Sequence, residues 1–261
     1  TPEGVCELKQ KTQLLAGKAE QHINISRMLE LSESRQLTDL AEMPAKRFHG
    51  VRIAVARDAA FSFIYRDNIR FLEHLGAEII YFSPINDEKT PDGINGLMLF
   101  GGYPELFAEK LSENRSMMQS IKEKIKRGLP IIAECGGFMY LHDTLAIDDK
   151  HTYPMVGVIP GKAFPTAKLQ RFGYVRLYAK ENNLLCNKNE ELLAHEFHYW
   201  DSENCGSGFK AVKESSGKQW DCVHAKENMY AGFPHLYFYA NLSAALRFVE
   251  ACHKYGDNND I

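Results

Sequence analysis

The chain has 261 residues, 44% of them hydrophobic and 25% charged, and its 31 basic and 34 acidic residues leave a net charge of −3. These values exclude disordered, collagen-like and coiled-coil chains and leave no basic footprint for nucleic acid. With no apolar run near the roughly 18 residues of a membrane span and no secretory leader, a cytoplasmic protein without nucleic-acid or membrane partners is expected.

The first residue is Thr1 rather than Met, and residues 1–17 are polar without a clear helix or strand pattern. A piece of a longer chain is the expectation. Residues 18–31 place Ile23, Ile25, Met28, Leu29 and Leu31 at helical spacing, with Asn24 or Ser26 as cap. The polar stretch from Ser32 to Gly50 reads as a linker. At Val51 the character changes. VRIAVAR is a buried-type strand, YRDNIRFLEHLGA a helix closed by Gly76, and EIIYFSP a second strand. INGLMLFGG is a third, ending in Gly101 and Gly102. A long helical stretch over 104–128 leads to the strand LPIIAE, which runs into Cys135-Gly136-Gly137 and a helical FMYLHD. Strands and helices alternating at this interval predict a parallel sheet with crossover helices. The second half reads as strands (MVGVIPG, FGYVRLYAK, LLAHEFHYW, MYAGFPHLYFYAN) and closes on the helical LSAALRFVEACHKY. The expected fold class is α/β, a mixed, largely parallel central sheet with flanking helices. The domains are a helical lead-in and linker over 1–48 and the α/β domain over 49–261.

Six cysteines are scattered without Cys-x-x-Cys spacing, so no metal site is expected. Cys135 stands apart. An apolar strand ending in a cysteine, two glycines and a helix has the form of a nucleophile elbow. The helix N-terminus beside the thiol favours the thiolate, and the next amide can hold an oxyanion. The alternative is an inert buried cysteine at a strand end. Gly101 and Gly102 end another strand one crossover earlier. Their amides could supply a second donor, because ligands collect at the carboxyl ends of parallel strands; otherwise they form an ordinary turn. A thiol nucleophile needs a base. His235, beginning a late aromatic strand, is best placed, with His195 and His198 as alternatives. On a strand, Glu196 and His198 share one face while His195 and Phe197 share the other. A solvated edge strand is the plain reading of that segment.

FGGYPE, LSENRSM, PIIAECGGFMYL, MVGVIPG, LQRFGYV and HEFHYWD occur in this order. From about Val51 to the C-terminus the chain resembles the class I glutamine amidotransferase domain of the cobyrinic acid a,c-diamide synthases, whose fold is flavodoxin-like. Residues 1 to about 45 more loosely resemble the tail of that family's ATP-binding domain, and the chain contains no Gly-x-x-x-x-Gly-Lys-Ser/Thr phosphate loop. The resemblance implies glutamine hydrolysis coupled to ATP-dependent amidation of the a and c acetate carboxylates of cobyrinate. It implies Cys135 as nucleophile, His235 as its base, and Gly101, Gly102 and Gly136 around the glutamine and its oxyanion. His195, Glu196, His198 and Tyr199 are implied near the site or its partner-facing surface. Glu105 and Arg115 match the family too, and a solvated helix face accounts for them equally well. No cofactor is expected in this chain; ATP and Mg²⁺ belong to the N-terminal ATP-binding domain. The implied partners are glutamine, the corrinoid reached through that domain, the domain itself, and a second copy in a homodimer. Many class I enzymes carry His-x-Glu, with the glutamate orienting the histidine. Here that position is Tyr237, and Glu196 or a backbone carbonyl is the candidate replacement. The alternatives are a related amidotransferase acting on cobyric acid, a nickel-tetrapyrrole precursor or cell-wall lipid, a thiol hydrolase or peptidase of the same fold, and a non-catalytic scaffold.

Overall fold

The computed structural model describes residues 5–32 and 48–259, and the chain forms two compact units, Thr1–Met43 and Pro44–Ile261. The first contains helices α1 (Val5–His22) and α2 (Ile25–Leu31). The unpatterned opening expected for residues 1–17 is therefore corrected to a helix from Val5 onward. It is built from strong helix formers (Leu, Lys, Gln, Ala, Glu). Leu8, Leu14 and Leu15 stay exposed, so no buried stripe betrays the helix in the sequence. Asn24 is the N-cap of α2, its side chain accepting from the Arg27 amide at 2.9 Å. Most of the expected linker, residues 33–47, lies outside the described residues.

In the second unit the chain runs β1 (Arg52–Ala56), α3 (Arg66–His74), β2 (Glu78–Phe82), β3 (Gly96–Leu99), α4 (Ala108–Glu113), α5 (Arg115–Lys126), β4 (Ile131–Glu134) and α6 (Gly136–Tyr140). It continues as β5 (His142–Ala146), β6 (Thr152–Pro154), β7 (Ile159–Pro165), β8 (Arg171–Ala179), β9 (Glu191–His198), β10 (Trp200–Ser202), β11 (Phe209–Lys213) and β12 (Gln219–Cys222). β13 (His224–Lys226), β14 (Met229–Gly232), β15 (His235–Leu236) and α7 (Leu242–Asn259) complete it.

The central sheet has the order β13-β14-β4-β3-β1-β2, parallel except for β13 at its edge. Its inner strands β14, β4, β3 and β1 are buried on both faces and sort their side chains by alternation, while the edge strands β2 and β13 are partly exposed. Ile53, Val55, Met98, Ile132 and Tyr230 pack on one side with α3, α7 and the antiparallel sheet β12-β11-β8-β9-β15. Ala54, Leu97, Leu99, Ile131 and Ala133 pack on the other with α5, α6 and the small sheet β10-β7-β5-β6. The expected mixed, largely parallel α/β fold is present.

Four expected elements break or shorten. The helix over 104–128 is a 3-10 turn (Pro104–Phe107) followed by α4 and α5, divided at Asn114. The Asn114 side chain accepts from the Met117 amide and donates to the carbonyls of Pro84 and Asp87, a cap that forbids continuous helix. Helical FMYLHD stops at Tyr140, and the MVGVIPG strand begins only at Ile159. The final aromatic strand is split because Pro234 has no N–H for the ladder. β14 finishes in the central sheet, β15 joins the antiparallel one, and Phe238–Ala240 turns as 3-10 helix.

Candidate active site

β4 and β14 are parallel neighbours that end level, with Glu134 opposite Gly232. At the next residue β4 turns sharply. Cys135 sits at φ 49°, ψ −105°, a left-handed conformation rare for a residue with a Cβ. Its amide donates to the Gly232 carbonyl at 2.8 Å and its carbonyl accepts from Met139 at 2.9 Å, so the turn is held from both sides. Gly137 donates to the Phe100 carbonyl at 3.1 Å, tying the start of α6 to the end of β3. The strained turn is thus held by bonds from its neighbours, Gly232 at the end of β14 and Phe100 after β3.

The two glycines after β3 face this elbow. A Cβ on Gly136 would lie 3.1 Å from the Gly102 nitrogen, and one on Gly101 would lie 2.8 Å from Cε1 of His235. Beyond Gly232 the chain passes through Phe233 and Pro234 into β15, which pairs His235 with His195 of β9. Asn68 of α3, fully buried, fixes that segment by donating to the Leu236 carbonyl and accepting from the Phe238 amide, both at 2.8 Å. Phe63 closes on the His235 ring edge-to-face at 5.0 Å, its own amide bonded to the Gly101 carbonyl. Cys135 and His235 open into one cavity of about 390 Å³, lined also by Gly102, Glu105, His195 and Tyr199.

His235 is 6% exposed, and its Nδ1 lies 3.5 Å from Oε2 of Glu134. Its imidazole is raised from an ordinary value near 6.5 to about 10. Burial is the largest single influence and pulls the other way, but the attraction of Cys135 and Glu134 for the charged ring together outweighs it. His195 is lowered, by burial first and then by the neighbouring His235. Glu105, half-buried on the 3-10 turn after Gly102, has its carboxyl raised to about 7 by burial, only partly opposed by its own amide.

The structure brings Cys135, His235, Gly101, Gly102, Gly136, His195 and Tyr199 to one place. Glu196 is elsewhere in its contacts. β9 alternates as its pattern requires, with His195 and Phe197 on one face and the buried Glu196 and His198 on the other. The Glu196 carboxylate lies 3.7 Å from His198 Nε2 and 3.9 Å from Arg171 Nε. His198 in turn stacks flat on Phe233 at 3.9 Å, donates from Nδ1 to the Trp200 carbonyl, and touches the cavity wall. Of the two expected candidates for orienting His235, Glu196 or a backbone carbonyl, Glu196 is corrected: the carboxylate beside His235 is Glu134. Sequence reasoning passed over Glu134, Phe63 and Asn68. Only the buried-side Asn68 carried a signal, a polar residue inside the apolar stripe of α3.

Residues 52–242 match the CobB/CobQ-like glutamine amidotransferase domain family. Relatives include the cobyrinate a,c-diamide synthases of Caldanaerobacter subterraneus (37% identity over 95% of this chain and 56% of that protein) and Listeria innocua (38% over 92% and 54%). That of Fusobacterium nucleatum is 43% identical over 75% of this chain and 43% of its own length. The chain thus spans about half the length of these relatives. Among solved structures, PurLQS from Thermotoga maritima superposes with a TM-score of 0.54 at 18% identity, covering 78% of this chain and 98% of the other. A putative GMP synthase subunit from Thermoplasma acidophilum gives 0.51 at 18%, covering 82% and 100%. At those identities the likeness is one of fold. By its motifs, its fold and these relatives, the chain belongs to the CobB/CobQ-like glutamine amidotransferase family.

Proposed function

We propose that the chain is the glutaminase part of an ATP-dependent amidoligase, supplying ammonia for amidation of the a and c acetate carboxylates of cobyrinate. The observation that carries this is the strained Cys135 elbow sharing one cavity with His235 and the two glycine-ended strands. The Cys135 thiolate attacks the side-chain carbonyl carbon of glutamine, and the amides of Gly102 and Gly136 hold the resulting oxyanion. The His235 imidazolium gives its proton to the departing nitrogen, releasing ammonia and leaving a γ-glutamyl thioester. Neutral His235 then takes a proton from water, whose oxygen displaces the thiolate and frees glutamate. ATP and Mg²⁺ are assigned to the half of the relatives' length that this chain does not span. The acceptor is assigned to cobyrinate through the names of its relatives.

A glutamine-like diazo-ketone tests the reaction class. Stoichiometric labelling of Cys135, suppressed by glutamine, is expected by peptide mass mapping. Labelling of other thiols with Cys135 untouched sinks the enzyme reading. A peptidase of the same fold would ignore free glutamine.

Glu105 lines the same cavity and supports glutamine as the occupant. An ionised carboxylate there matches the α-ammonium of an amino-acid substrate. Because burial raises this carboxyl to about 7, it gains its charge as pH rises through neutrality. KM for glutamine is therefore expected to fall as pH increases across that range. In Glu105→Gln, KM should rise about tenfold, the loss of one charge-assisted contact, and the pH dependence of KM should flatten. Steady-state kinetics between pH 6 and 8 check both, and an unchanged KM profile removes Glu105 from substrate binding.

A further inference from the structure

Tyr237 stands where many class I relatives of this fold carry a carboxylate, and its side chain turns away, its hydroxyl donating to Asp67 at 3.2 Å near the surface. His235 is not left without a carboxylate, however. Glu134 is the last residue of β4, fully buried, and one peptide bond before Cys135. Its Oε1 accepts from the Leu236 amide at 3.1 Å, which fixes the carboxylate against the residue following His235. Its Oε2 faces His235 Nδ1 at 3.5 Å. Among the described residues neither of these two atoms has a hydrogen-bond partner. Leaving both a carboxylate oxygen and an imidazole nitrogen buried and unpaired is costly. A closure of about half an ångström converts the pair into a charge-assisted bond, and such bonds are often long in the unliganded enzyme and tighten around substrate.

We propose that Glu134, the residue directly preceding the nucleophile, is the positioning residue of His235, holding its Nδ1 and stabilising the imidazolium so that Nε2 faces Cys135. This rests on the Cys135–His235 reading above. One strand end then supplies both the nucleophile and the group that orients its base, so the carboxylate needs no place on the histidine strand. The groups facing His235 are few: Cys135 at the elbow, Glu134 on β4, and His195 across the β15–β9 ladder. Tyr65 and Tyr230 also feel the Glu134 charge. Among these described residues Glu134 is the only carboxylate.

Glu134→Gln is the sharp test, because the carboxamide oxygen keeps the Leu236 bond while the charge is lost. kcat for glutamine hydrolysis is expected to fall about 10- to 100-fold with KM within twofold. The readout that a merely structural role would not move is the titration of His235, followed by NMR of its Cε1 proton and assigned by its loss in His235→Asn. A histidine stabilised by an anion keeps its proton to higher pH, so removing the anion must lower the midpoint, by at least about one pH unit. Glu134→Asp should restore part of both kcat and midpoint. An unchanged midpoint with lost activity, or unchanged activity, overturns the proposal. Should Glu134→Gln fail to fold, the His235 midpoint in Glu134→Asp decides: lowered, it supports the role; unmoved, it ends it. Failure of the parent reading is seen separately, as absence of Cys135 labelling in the unmutated chain.

Discussion

Cys135→Ser is expected to abolish glutamine hydrolysis, by at least about 10³-fold in kcat/KM, while far-UV circular dichroism and the melting temperature stay close to those of the parent chain. The hydroxyl is nearly isosteric with the thiol and can occupy the same elbow, because the turn is fixed by backbone bonds: Cys135 to Gly232, Gly137 to Phe100 and Met139 to Cys135. What it cannot do is ionise beside His235, since an alcohol is far too weak an acid for the neighbouring imidazolium to hold its anion. His235→Asn should give a loss of similar order, and the double variant should be little worse than either alone, because two groups of one proton-transfer unit are not additive. Turnover near the parent rate in either single variant would refute the pairing. The comparison also separates this chain from a scaffold with a silent cysteine, in which both substitutions would be neutral.

Legibility in the sequence followed the range of the interactions involved. The elbow could be read because it is local: an apolar run, Cys135, two glycines and a helix within a few residues. β1, β3 and β4 could be read because burial on both faces demands unbroken apolar runs, and β2, half-exposed at the sheet edge, by its β-branched and aromatic run. α1 could not, since Leu8, Leu14 and Leu15 are exposed and only propensity favours the helix. The break at Asn114 was hidden for another reason: the cap depends on the carbonyls of Pro84 and Asp87, about thirty residues away in sequence. The partner of His235 was hidden similarly. Which carboxylate reaches it depends on β14 lying beside β4 and on β15 crossing to β9, and no spacing along the chain records either pairing. Glu196 was attractive from the HEFH segment alone, yet strand alternation itself places it on the face away from His195.

Gly136 and Gly137 look interchangeable in the sequence, but substitution should separate them. A methyl group on Gly137 would lie 2.0 Å from the Leu99 carbonyl oxygen and 2.5 Å from its carbon. These are backbone atoms inside the parallel sheet and cannot swing away, so α6 must lift off β3. Gly137→Ala is therefore expected to cost about 3 kcal/mol, a fall in melting temperature of about 6–12 °C for a chain of this size. Activity should be lost along with the elbow. A methyl group on Gly136 meets Pro104 Cδ at 2.9 Å and the Gly102 nitrogen at 3.1 Å. Those atoms belong to the turn after β3 and can shift by a few tenths of an ångström, so the fold should survive. The atom displaced is one of the two proposed oxyanion donors, and moving it should reduce kcat by about 10²-fold with little change in KM. Calorimetry and steady-state glutamine kinetics on the two variants check the division. Equal loss of stability in both would mean that Gly136 is a packing residue. Undiminished kcat in Gly136→Ala would remove the Gly102 and Gly136 amides from the proposed oxyanion site, leaving the tight elbow as a structural device around Cys135.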